Sequence, residues 1–436
     1  MGKTSGRLAF AASGGAAAVW DAPAAAGAAA GPPPLQQPTR DLFSSLPFGL
    51  ALTAAGLLVL LLVGLALRRR SRLGARRTWR WAALGAGALT LLVGLACATN
   101  AYVGWAPNFE AAQLRAGWAD TFRPAAQMAA AAPAANDIGT VPITRPDTPV
   151  ASAASVPAGL DPAARRQDRG GIGRFALPVP DEYGIPSREV LVYTPPGYDP
   201  SGQTAYPVLY LIHGSPGSAA DWFASGAPAV VDSLIAASRI APIIMVAPGF
   251  QARGAAESGC LDATKPGGSR VESHLHEVVR PWVLNHFPVA LDRDFAAIGG
   301  MSMGGYCAVD QVLRHPEHFA TSLAMPPYGE PGRAGPAMKS SQAEIDAVTP
   351  LKYIATAPGL ADHPVATWFA VDAAELNKQV GLDAKAMARL LQARDLTAEV
   401  YVAKAGGHTW AMAIASLPPA LDFWQTQMPR PPTAAS

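Results

Sequence analysis

Ser302 is the residue through which this chain could do chemistry, because of what stands on either side of it. It lies at the centre of Gly300-Met301-Ser302-Met303-Gly304, after the apolar run Phe295–Ile298 and before a segment that reads as a helix. A Gly-x-Ser-x-Gly pattern between strand and helix presents a serine at the apex of a sharp, strained turn. Glycines two before and two after let the strand and helix approach without Cβ clashes. A serine presented in this way is a nucleophile only if a base, an acid and an oxyanion-stabilising loop accompany it. In a chain with 42 glycines the pattern alone can be accidental, so its partners decide the matter.

Val208–Ile212 is an apolar strand pattern that runs into His213-Gly214-Ser215-Pro216-Gly217. Acyl transfer places negative charge on the carbonyl oxygen, and two fixed backbone N–H groups stabilise it without reorganisation. The backbone amides of Met303 and Ser215 are the expected donors. His213 itself reads as a histidine that supports the turn. Among the eight histidines, His408 is the expected base, because Ala405-Gly406-Gly407-His408-Thr409-Trp410 directly follows the last strand pattern. The expected acid is Glu375 or Asp372, in Val371-Asp372-Ala373-Ala374-Glu375 at the end of the preceding strand. Either carboxylate could accept the other ring N–H of His408 and stabilise the imidazolium. The one left over could cap the turn, since Asp372 to Glu375 has capping-box spacing. The order serine, acid, histidine is that of the α/β-hydrolases.

No metal or cofactor is expected. His274 and His276 stand two apart in a helical pattern, which points them to different faces, and no H-E-x-x-H motif follows. His315-Pro316-Glu317-His318 reads as a helix stop, and His286 also falls near a helix end. Asp221-Trp222-Phe223 could line a cleft or belong to the core. Three cysteines cannot form a disulfide framework. Cys97 falls in an apolar run. An oxidising exterior permits a Cys260–Cys307 bridge, with two unpaired thiols as the alternative.

The elements that must position these residues begin near Gly170. Strand patterns cover 174–179, 189–193, 208–212, 242–247, 295–298, 321–324, 367–371 and 399–403. Helical patterns at 227–238, 271–286, 305–315, 383–394 and 411–424 fall between or after them. Short buried runs spaced by amphipathic helices predict an α/β domain over residues 169–430, its mainly parallel sheet covered on both faces. Two antiparallel strands could come first, joined through the turn Asp181–Ser187. Gly329–Pro350 is rich in Gly and Pro and could form a lid.

The chain has 436 residues, half of them apolar and 15% charged, with a net charge of +2. No basic patch interleaved with aromatics suggests a nucleic-acid partner. Residues 1–45 and 106–168 are rich in Ala and Pro, and are expected to be a disordered tail and an extracytoplasmic linker. A short helix near Glu110–Trp118 is weakly indicated, and residues 431–436 read as a tail. Residues 46–67 and 81–105 carry uncharged runs long enough to cross a bilayer. Arg68–Arg80 between them holds seven arginines and no acid, so it is expected on the cytoplasmic side. Both termini and the α/β domain then lie outside the plasma membrane. A cleaved signal over Leu8–Trp20 is a weaker alternative for the N-terminus.

The motifs together resemble the serine esterase family that includes esterase D (S-formylglutathione hydrolase), feruloyl esterases and the antigen 85 mycolyltransferases. Membrane-anchored actinobacterial esterases are the most similar members. The resemblance spans roughly residues 170–427. It is carried by Tyr193-Thr194-Pro195-Pro196-Gly197-Tyr198, Leu211-Ile212-His213-Gly214, the segment 300–305, and Gly406-Gly407-His408-Thr409-Trp410. It implies an α/β-hydrolase fold and ester hydrolysis without a cofactor, on small-molecule or envelope esters. Many relatives have Gly-x-x-Asp before the acid; here Asp372 stands at the glycine position and Glu375 at the acid position, which favours Glu375 as the acid. Acyl transfer to envelope sugars or lipids is an alternative reading, and a catalytically idle envelope-binding module is another.

Overall fold

The computed structural model describes residues 45–68, 77–103, 169–200, 204–251, 257–404 and 406–429. The expected N-terminal tail, most of the Arg-rich loop, the linker with its Glu110–Trp118 helix, and the C-terminal tail lie outside these residues.

Helices α1 (Leu46–Arg68) and α2 (Arg77–Val103) contain apolar stretches, Leu46–Leu65 and Trp81–Val103, long and apolar enough to cross a membrane. They pack against each other through small residues. A Cβ on Gly49 would lie 2.4 Å from the backbone of Ala98, and one on Gly94 2.4 Å from that of Thr53. Such glycine contacts let helix backbones approach where side chains would hold them apart.

The remaining elements build one eight-stranded sheet, ordered β1-β2-β4-β3-β5-β6-β7-β8. The strands are β1 (Gly171–Ala176), β2 (Glu189–Thr194), β3 (Val208–Ile212), β4 (Ile244–Pro248), β5 (Ala296–Met301), β6 (Thr321–Met325), β7 (Ala366–Asp372) and β8 (Thr397–Ala403). All eight coincide with the predicted strand patterns to within a few residues. β1 and β2 pair antiparallel, β2 joins β4 antiparallel, and every other neighbour is parallel. All five residues of β3 are buried. Val208, Tyr210 and Ile212 face one apolar core, while Leu209 and Leu211 face the other. That two-sided burial is why the strand reads as a continuous apolar run rather than an alternation.

Helices α3 (Ala227–Ala236) and α7 (Trp410–Gln427) pack into the core on one face. On the other face lie α4, α5 (Met303–Arg314) and α6 (Gln379–Gln392). α4 is one run with three windings: α-helical over Val271–Ser273, π-helical over His274–Val279 and α-helical again over Arg280–His286. The chain leaves β3 for the β4 side of the sheet and leaves β5 for the β6 side. The connections therefore diverge at the carboxyl ends of β3 and β5, where an open α/β sheet forms its crevice.

The segment proposed as a lid folds as two short helices, Ala334–Met338 and Gln342–Asp346, tied to the domain. Lys339 Nζ donates to the Asp262 carbonyl at 2.8 Å, and Tyr306 donates to the Val348 carbonyl at 2.6 Å. Asp221-Trp222-Phe223 is core, with Trp222 fully buried and donating its indole N–H to the Ile212 carbonyl at 2.9 Å. Cys97 is a buried free thiol.

Cys260 and Cys307 are bonded, with Cα atoms 5.5 Å apart and a sequence separation of 47. Closing a loop of that length stabilises the fold by about 4 kcal/mol on the chain-entropy account. Reduction, or the pair Cys260→Ser and Cys307→Ser, is expected to lower the thermal midpoint. A midpoint indifferent to reductant, with both thiols alkylatable beforehand, would rule the bridge out.

Candidate active site

The site grows from the turn between β5 and α5. Ser302 has φ 60° and ψ −119°, a backbone conformation that side-chain-bearing residues rarely adopt. Holding one residue there costs roughly 1–3 kcal/mol, so the surroundings must impose it. They do so by close backbone packing. A Cβ on Gly300 would fall 2.0 Å from the Gly304 carbonyl oxygen, and one on Gly304 2.2 Å from the Ile212 carbonyl oxygen. Both flanking positions of the motif therefore require glycine, for contact reasons and not for turn propensity.

Register brings the other loops to the same edge. Ile212 pairs with Gly300, so His213-Gly214-Ser215 continues alongside Met301 and Ser302. A Cβ on Gly214 would lie 3.4 Å from that of Ser302. Met303 opens α5, where the first amides have no intrahelical acceptor. His213 is buried and stacked on Phe250 with ring centroids 4.6 Å apart, and its Nδ1 donates to the Gly214 carbonyl at 2.7 Å. Burial pushes its pKa down, so the ring stays neutral and shapes the turn.

Asp372 ends β7 opposite Ala403 of β8, which sets it beside the loop that carries His408. Its carboxylate is 3% exposed, and both oxygens are taken by backbone. Oδ1 accepts from Ala374 N at 2.8 Å and Oδ2 from Gly407 N at 2.9 Å. The loop so held places His408 Nε2 2.8 Å from Ser302 Oγ. Trp410, two residues on, meets Trp222 edge to face at 5.1 Å, which ties the histidine loop to the segment after β3.

Glu375 lies in the turn after Asp372. Its Oε2 is buried without a hydrogen-bond partner among the described residues. Burial pushes the His408 pKa below its usual range, and the Glu375 carboxylate pulls it part of the way back. The two carboxylates have thus separated: one is spent on backbone and the other acts on the imidazole through space.

Sequence reasoning missed Tyr328. Its hydroxyl lies 3.4 Å from His408 Nδ1. Burial, then the Glu375 charge, holds its pKa up, so the phenol keeps its proton. The available signal was position, three residues beyond Met325 at the carboxyl end of β6, next to β5. Ser215 carries a second polar neighbour, Gln251, whose Nε2 donates to Ser215 Oγ at 3.3 Å.

The remaining histidines lie away from this edge. His274 is buried and unpartnered among the described residues, with its pKa pushed to about 4 by burial. His276, His315 and His318, separated in sequence, come together at the far end of α5. His318 is likewise pushed to about 4 by burial.

The family model described as "Putative esterase" matches residues 186–424, more than half of the chain. The chain belongs to this esterase family. Its folded domain has the α/β-hydrolase architecture. A ferulic acid esterase is similar in structure, with TM-score 0.51, 22% identity, and coverage of 60% of this chain and 100% of its own. An S-formylglutathione hydrolase from Agrobacterium tumefaciens is similar at TM-score 0.51 and 16% identity, over 62% of this chain and 99% of its own. A curated relative from Corynebacterium glutamicum, itself uncharacterised, is 31% identical over 150 residues. That match spans about a third of each chain.

Gly304→Ala tests the packing argument. The methyl cannot be accommodated without moving the β3 carboxyl end, and overpacking of this kind costs about 1–3 kcal/mol. The expected outcome is a lower thermal midpoint together with lost esterase activity. Wild-type values of both would show that the elbow does not depend on the contact.

Proposed function

We propose that this chain is a membrane-anchored serine esterase whose hydrolase domain faces the outside of the plasma membrane. The observation that carries the reading is the 2.8 Å contact between His408 Nε2 and the hydroxyl of Ser302 at a strained elbow.

On this reading Ser302 Oγ attacks the ester carbonyl carbon while His408 Nε2 takes the hydroxyl proton. The amides of Met303 and Ser215 donate to the developing oxyanion, and the positive end of α5 points at the same atom. Collapse of the tetrahedral intermediate expels the alcohol, which leaves with the proton from His408. Water, activated by the same nitrogen, then releases the acid and restores Ser302. An acceptor alcohol could use the same second half-reaction, so hydrolysis and acyl transfer would share these groups.

We assign Glu375 as the acid of the triad. Its charge favours the imidazolium that forms on His408, whereas Asp372 has both oxygens engaged by backbone. Asp372 is then a positioning residue for the histidine loop. The two apolar helices and the arginines between them support the anchored topology, with the basic loop inside.

A membrane-impermeant fluorophosphonate probe applied to intact cells tests nucleophile and location together. Labelling at Ser302 without lysis is expected, lost in Ser302→Ala and His408→Ala. Labelling only after lysis would overturn the outward placement, and none in either case would overturn the nucleophile.

Glu375→Gln and Asp372→Asn separate the carboxylates. Activity requires neutral His408, so kcat/KM falls as pH drops through the pKa of that ring. The Glu375 charge raises this pKa, so Glu375→Gln should move the acid limb to lower pH. It should also reduce kcat, with ~10^4-fold as the scale for loss of a triad acid. Asp372→Asn should weaken activity with the limb unmoved. The reverse pattern would exchange the two roles.

A further inference from the structure

His276 lies on the π-wound middle of α4, His315 immediately follows α5, and His318 lies in the next turn. One ligating nitrogen from each lies within 4.8 Å of the others. α5 has 12 residues, so the cluster stands about 18 Å from the Ser302 elbow, at the opposite edge of the sheet. The esterase reading makes no use of it.

The partners of these rings decide where their lone pairs point. Gln311 Nε2 donates to Asp310 Oδ2 at 3.0 Å and to the Cys260 carbonyl at 3.4 Å, which turns its oxygen toward His276. His276 Nε2 donates to that oxygen at 2.7 Å, leaving Nδ1 as a lone pair. His315 Nε2 donates to Glu272 Oε1 at 2.7 Å and its Nδ1 meets Glu317 Oε1 at 3.3 Å, so a cation bound at Nδ1 displaces the proton of that contact to solvent. His276 Nδ1 and His318 Nδ1 stand 2.7 Å apart, with a single proton between two in-plane lone pairs. Ring nitrogens whose far N–H groups are fixed by a carboxylate and an amide are the supporting arrangement found around histidine-bound metals.

We propose that His276, His315 and His318 form a binding site for a divalent metal of the zinc type, through their Nδ1 atoms. Imidazole donors suit Zn²⁺, which binds them at about 2.0–2.1 Å. The cation takes the place of the proton held between His276 and His318. That proton moves to His318 Nε2, so this ring releases none to solvent. Glu317 Oε1 lies 3.3 Å from His315 Nδ1 and 3.9 Å from His318 Nε2. Its side chain is 47% exposed and can swing in as a fourth, anionic ligand. Arg280 opposes the cation electrostatically. The carboxylates of Glu272 and Glu317 favour it, and Arg314 is itself paired with Glu272 at 2.9 Å. A bound metal would tie α4 to the end of α5, in addition to the Cys260–Cys307 bridge that joins the loop before α4 to the first half of α5.

The test uses the full chain in detergent, purified without a polyhistidine tag, stripped with EDTA and titrated with Zn²⁺ against a chromophoric chelator. One tight Zn²⁺ per chain and a raised thermal midpoint are expected. Glu272→Gln should weaken binding about 10–100-fold, as loss of a supporting partner does. His318→Gln, at a partly exposed position, should weaken it further, while Ser302→Ala should leave it unchanged. X-ray absorption of the zinc-loaded wild type should show imidazole scattering, and this readout does not depend on any variant folding. Absence of stoichiometric binding, sulfur ligation, or affinity unchanged in both His276→Gln and His318→Gln would overturn the proposal.

Discussion

Everything at the carboxyl edge of the sheet depends on how closely the backbone of α5 approaches β3. Gly304 lies against the Ile212 carbonyl with no room for a methyl group, and Gly300 lies against Gly304 in the same way. That approach leaves Ser302 no route except the positive-φ turn, with its hydroxyl lifted out of the sheet edge. It also brings Gly214 and Ser215 beside the serine, because Ile212 and Gly300 are register partners. One steric constraint therefore sets the position of Ser302, its orientation and the loop beside it. The strain at Ser302 is small against the burial of β3 and β5, whose residues contribute to the cores on both faces.

The acidic pair after β7 shows how burial sorts two chemically similar groups. Asp372 is short and ends the strand, so its carboxylate reaches only nearby backbone, and two N–H groups satisfy it. Glu375, three residues on and one methylene longer, escapes the turn and keeps an unpaired buried oxygen. A buried carboxylate oxygen without a donor is costly unless a cation or donor arrives. In the proposed mechanism His408 becomes such a cation when it takes a proton from Ser302. The Tyr328 hydroxyl lies 3.4 Å from His408 Nδ1 in the same region.

Much of this was legible in the sequence. All eight strands were, because the six inner ones are short apolar runs buried on both faces and the partly exposed edge strands β1 and β8 are set off by turn residues. The strand-end positions of Ser302, His408 and the His213-Gly214-Ser215 turn could be read because local pattern and topology coincide there. Which carboxylate faces the imidazole could not be read, since three residues of turn geometry decide it. Tyr328 carried no local pattern at all. The reading of His274 and His276 as facing apart agrees with their separate environments. The histidine cluster escaped because it joins residues about 40 positions apart, on a stretch whose winding is π and not α. The cleft reading of Trp222 failed for a related reason, since an aromatic after a strand is equally suited to either face.

α5 itself is restrained along its whole length. Its first turn is pinned at the elbow, and its middle by the Cys307 bridge and by Tyr306 donating to the Val348 carbonyl. Asp310 accepts from Tyr353 at 2.8 Å. At the far end Arg314 and His315 both engage Glu272, at 2.9 and 2.7 Å. A helix whose N-terminus is to stabilise a developing oxyanion must not reorient as charge appears, because preorganised dipoles act at no reorganisation cost. The polar network at the carboxyl end of α5, far from any substrate, meets that requirement from the opposite edge of the sheet. It also explains why buried Glu272 and Asp310 are tolerated there: each is paired, and together they fix the axis along which the helix dipole acts.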